Sequence, residues 1–193
     1  MAEDHEKLLT DLDVLQEMAA DMSSYIRSDV LFWPMGRSDL PRLTLGGYLM
    51  RQHRLLALHH LLSDEDRQKL HAAEDAFEAA TNEWTVRVEQ RIGRELEARL
   101  RQWAEYLRDI RSDESAKTAA YYGNAVETRA MIAALLARLD TPPYRPDRHA
   151  ADETALMDKQ LRARFQPGPF VWPDAWQSAY PQSTYWWLYG KPL

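Results

Sequence analysis

The last twenty-nine residues, Phe165 to Leu193, contain nine of the chain's twenty aromatic side chains and five of its ten prolines. One acid, Asp174, and one base, Lys191, accompany them. The 164 residues before them are charged, rich in Ala, Leu, Arg and Glu, and apolar at helical spacing. Seven glycines in the whole chain favour helix over sheet. Such a chain folds as a helical body over residues 1–164 and an irregular arm over 165–193. The arm has to bury itself, because an exposed aromatic patch of that size is an aggregation hazard. Pro167, Pro169, Pro173 and Pro181 bar long regular structure there, leaving room for a single helical turn near Pro173–Trp176 and another near Ser183–Tyr189.

Apolar periodicity divides the body. Leu8, Leu12, Leu15, Ala19, Met22 and Ile26 form one stripe and predict a first helix from about Asp4 to Arg27 or Ser28. Thr44 is a fitting N-cap for a second helix reaching Leu62, with Leu45, Tyr48, Leu49, Leu55, Leu56 and Leu62 inward. Gly46-Gly47 in its first turn allows either a close helix approach or an anion at the terminal amides. Ser63-Asp64-Glu65-Asp66 opens a third helix with an N-cap and three acids against the dipole. Its stripe runs from Leu70 through Phe77, Trp84, Ile92 and Trp103 to Ile110, with a mean step of about 3.67 residues beyond Phe77. One unbroken helix over about 64–111 would span about 70 Å, with Thr81-Asn82 and Gly93 the natural places for a bend. A fourth helix starts near Ser112-Asp113-Glu114 and ends at Leu139, before Thr141-Pro142-Pro143. A short fifth helix follows, from about Ala151 to Phe165. The architecture predicted is all-α: an up-and-down antiparallel four-helix bundle with one long helix, a short fifth helix and an extended aromatic, Pro-rich C-terminal arm. Either the third helix bends, or its excess length packs against the fifth helix, the arm or a second copy, and a homodimer that uses this length is the expectation.

Composition excludes several function classes. There is no cysteine, hence no disulfide, thiolate zinc site or cysteine nucleophile. A net charge of −6, with both signs mixed along the helices, lacks the basic face that nucleic acid requires. The acidic start Met1-Ala2-Glu3-Asp4 is unlike a secretory signal, and no apolar run is long enough for a membrane span. A cytoplasmic protein is the expectation. Glu-x-x-His, His-Glu-x-x-His, P-loop and Gly-x-Ser-x-Gly patterns are all missing. No cofactor is expected and no metal site is predicted. His53 and His60 share a helix face but stand about 10 Å apart along it, too far to chelate one ion.

Polar residues on apolar stripes remain as site candidates. At 100° per residue the second helix's apolar face centres near Gln52, with His59 beside it. Thr128 lies in the fourth helix's stripe, flanked by Arg129 and Tyr122. If these helices pack together, Gln52, His59, Tyr122, Thr128 and Arg129 form one polar layer. That layer is either a small-molecule pocket, with His59 as proton carrier and Arg129 as anion clamp, or a satisfied core network. In the arm, Trp172, Trp176, Tyr185, Trp186, Trp187 and Tyr189 have the residue types of interface anchors. They cover the protein's own bundle, a second subunit or protein partner, or a ligand. Two functions follow: association with itself or a partner, or small-molecule binding, with or without catalysis, around Gln52, His59 and Arg129.

Overall fold

The structure is a computed structural model that describes residues 2–110 and 120–193, with side chains from His5 onward. The chain is mostly helical, as the periodicity predicts. Among the described residues its α-helices are α1 (Ala2–Arg27), α2 (Leu45–Ala57), α3 (Asp64–Glu83), α4 (Thr85–Asp109), α5 (Tyr122–Leu139) and α6 (Arg148–Arg162). The expected helix start at Ser112-Asp113-Glu114 lies outside the described residues. α1 lies along α3, α2 packs against both α1 and α5, and α4 is held between α5 and α6. One continuous core joins them, from Leu15, Met18 and Met22 of α1 through Tyr48 and Leu55 of α2 to Trp103 and Ile132.

The single helix predicted over about 64–111 is two helices. Trp84 leaves helical geometry (φ −124°, ψ 37°), ending α3 at Glu83 and restarting the chain as α4 at Thr85. The break falls two residues beyond Asn82, while Gly93 stays helical. Thr81 Oγ1 donates back to the Phe77 and Glu78 carbonyls, a contact that bends helices. The two halves of the stripe then serve different partners, α1 for one and α5 with α6 for the other. The excess length is thereby absorbed within one chain.

Both predicted caps form: Thr44 Oγ1 accepts from Gly47 N at 3.0 Å, and Ser63 Oγ from Asp66 N at 3.1 Å. Gly46 satisfies both readings of its sequence. Its N–H donates to Glu95 Oε2 at 3.1 Å, so the anion at α2's N-terminus is a buried carboxylate of the protein itself. Arg99 pairs with the other oxygen of Glu95 at 3.4 Å and donates to Thr44 Oγ1 at 3.3 Å. A Cβ at Gly46 would stand 2.7 Å from Glu95 Oε1 and 3.1 Å from Met131 Cβ. Gly46→Ala is therefore expected to cost about 1–3 kcal/mol. Gly93→Ala, whose added methyl meets nothing within 4 Å, is expected to be neutral or stabilising by up to about 1 kcal/mol. Thermal unfolding of the two variants checks the contrast.

The arm holds a short antiparallel pair, β1 (Phe165–Phe170) and β2 (Tyr189–Pro192), with Phe165 opposite Pro192 and Pro167 opposite Gly190. Gly190 has φ +140°, and a Cβ there would lie 2.2 Å from the Gln166 carbonyl oxygen, so only glycine fits. Prolines are tolerated because the pair is all edge. Short 3-10 segments occupy Asp174–Ala179, about two turns, and Trp186–Leu188, one turn, close to where the sequence allows helical turns.

Candidate functional site

The arm lies on its own bundle, and three arginines from three helices receive it. The Arg54 guanidinium (α2) stands 3.5 Å from the centre of the Trp176 ring. Arg129 (α5) and Arg162 (α6) each stand 3.7 Å from an indole, Trp187 and Trp186 respectively. Such stacking favours a delocalised guanidinium over an ammonium. Arg54 is buried and paired with Asp11 of α1 at 2.8 Å, and its Nε donates to the Tyr180 hydroxyl at 3.2 Å. Arg129 grips both carboxylate oxygens of Asp158 at 2.9 Å. Hydrogen bonds complete the seam: Tyr122 Oη donates to the Trp187 carbonyl at 2.6 Å, and Trp172 Nε1 to the Gly123 carbonyl at 2.8 Å. Trp172, Trp187 and Tyr189 are buried, and Trp176, Tyr185 and Trp186 half-buried.

Burial raises several phenols here and in the bundle. Tyr25 is pushed up to about 12, chiefly by burial and then by the nearby Glu95 carboxylate. Burial also raises Tyr48, Tyr106, Tyr122, Tyr180 and Tyr185, with Arg54 opposing it at Tyr180. An acid whose folded pKa lies above its unfolded value, about 10 for tyrosine, holds its stabilisation below that pH. The stabilisation is lost as pH rises through the folded values. Above about pH 10 the protein is therefore expected to unfold in step with tyrosine ionisation. Alkaline titration followed by phenolate absorbance and circular dichroism together checks this. Phenolate forming fully while helix persists would contradict it.

The structure does not gather the predicted polar residues into one layer. Tyr122 and Arg129 come together at Trp187, where they hold the arm. Thr128 is buried nearby on α5. His59 is exposed, because α2 ends at Ala57 and a 3-10 turn over His59–Leu61 takes the chain off the helical rotation. Its Nδ1 is 2.8 Å from the Leu56 carbonyl oxygen, capping the end of its own helix. Gln52 alone lies on an opening, a groove of about 230 Å³ between α2 and α5.

That groove has three sides. α2 contributes Leu49, Gln52 and His53, α5 contributes a floor that includes Ala133 and Ala134, and the arm contributes Tyr185. His53 Nε2 lies 2.9 Å from the Ala179 carbonyl oxygen, which can only accept, so this nitrogen carries the proton. The Tyr185 hydroxyl is 3.3 Å from the same nitrogen. Gln52 is half-buried and its side chain forms no hydrogen bond with the described residues. Arg138 borders the groove, but Glu78 holds both of its terminal nitrogens at 3.0 Å. In the sequence His53 stands out only beside His60, and nothing local links it to Tyr185. The alanines of α5 recurring at helical spacing were the available signal for a shallow apolar floor.

Among the described residues, no three His, Asp or Glu side chains are placed to hold a metal ion. No described helix is long and apolar enough to cross a membrane. Compared with known proteins, the chain matches no protein family, no curated protein and no solved structure.

Proposed function

We propose that the protein is a small-molecule-binding helical bundle whose site is the α2–α5 groove, walled on one side by the arm. The observation that carries this reading is the solvent-open groove itself, where Gln52, His53 and Tyr185 stand above an apolar alanine floor. A few polar groups over an apolar surface is the usual make-up of a ligand site. The competing reading, association through the arm, loses its main support because the arm's aromatics lie against the chain's own helices.

Native mass spectrometry of gently purified protein tests the proposal. The expected result is a small-molecule adduct that disappears when Ala134→Phe fills the groove. A bare monomer mass would count against the ligand reading, and a bare dimer would return the function to self-association.

A further inference from the structure

The chemistry of the groove narrows what it binds, on the premise that the groove is the binding site. Its charge is settled first. Among the described lining residues Arg138 is the one permanently charged side chain, and Glu78 engages it end-on. Among the described residues, no free carboxylate or ammonium lines the opening to neutralise a charged guest. Size comes next. At about 230 Å³ the groove is smaller than the roughly 300–1,000 Å³ of drug-sized sites, so it takes one ring or a small fused ring. The floor of alanine methyl groups gives such a ring an apolar face to lie on.

Polarity then selects the edge of the guest. The Gln52 amide presents an N–H donor beside a carbonyl acceptor, half-buried and unpaired. Its two-bond complement is another amide: a carbonyl acceptor next to an N–H donor. Next to it on the rim, His53 has its Nε2 proton directed at Ala179, and the Tyr185 hydroxyl completes the polar edge. We infer that the groove binds an uncharged flat ring bearing a carboxamide or lactam edge, read by Gln52.

Isothermal titration of the full chain with benzamide, benzoate and toluene tests this assignment. The three share one ring and differ in edge: amide, anion, or none. Benzamide is expected to bind at least roughly tenfold tighter than either of the others. Gln52→Glu keeps the side chain's shape and removes its donors, and is expected to weaken benzamide by about the same factor. Because Gln52 is half-buried, this variant folds even if Ala134→Phe does not. Benzoate or toluene binding as tightly as benzamide would overturn the amide assignment while leaving the groove as a site. Benzamide binding unaffected by Gln52→Glu would overturn it too. Failure of all three probes also overturns it, and the native mass spectrum then decides separately whether the groove holds any ligand.

Discussion

A chain cut after Arg164 is expected to lose cooperative thermal unfolding altogether. The cut removes Phe170, Trp172, Tyr180, Trp187, Leu188 and Tyr189, all buried against the bundle. Truncating one buried Phe or Trp to alanine typically costs about 3–5 kcal/mol. Total domain stability is only about 5–15 kcal/mol, so removing several such side chains together exceeds it even with large non-additivity. The cut also uncovers Arg54 and Arg129, leaving their ion pairs exposed to water and their ring contacts gone. Circular dichroism should show retained helical signal without a sharp transition, and a hydrophobic dye should bind. A cut chain that melts cooperatively within a few degrees of the full chain would sink the assignment of the arm as part of the core.

The second large effect is expected at Asp11. Its carboxylate faces Arg54 at 2.8 Å and Arg51 at 3.4 Å, and all three side chains are largely hidden from water. Asp11→Ala leaves two guanidiniums without their shared counter-charge. Removing one partner of a buried pair costs about 3–5 kcal/mol, or roughly 6–20 °C in Tm for a chain of this length. The double variant Asp11→Leu with Arg54→Met should recover only part of that loss, since an apolar pair replaces the closer ion pair while Arg51 still lacks its counter-charge and Tyr180 loses its donor. Denaturant unfolding of the single and double variants measures both. A single variant within about 1 kcal/mol of the parent would mean that water reaches the pair and screens it.

What the sequence disclosed depended on how local the physics was. Thr44 and Ser63 were legible as caps because a cap is decided within three or four residues. The stripe from Leu70 to Ile110 was legible as helical, and its splitting was not placed at Trp84. That break follows from which neighbours each half meets, a tertiary matter. His59 was misplaced for a related reason: extending the helical rotation past Ala57 put an exposed residue on the core side. The arm's need for cover could be read from composition alone. Its means of attachment could not, because Arg54, Arg129 and Arg162 look like ordinary surface arginines until the arm folds over them. Gln52 was noticed as polar on an apolar face, whereas its neighbours His53 and Tyr185, 132 residues apart, meet only through the whole fold.

The three arginine–indole contacts also set an order of events in the cell. The arm is synthesised after every helix it covers, so α2, α5 and α6 emerge from the ribosome with their docking faces bare. Folding of the body cannot finish as synthesis proceeds, and closure waits for Trp172 through Tyr189 to arrive. Until then the nascent chain carries an open apolar seam of the kind chaperones hold. Synthesis that stops shortly before Phe165 would leave a chain whose described helices are all present and whose surface is unfinished.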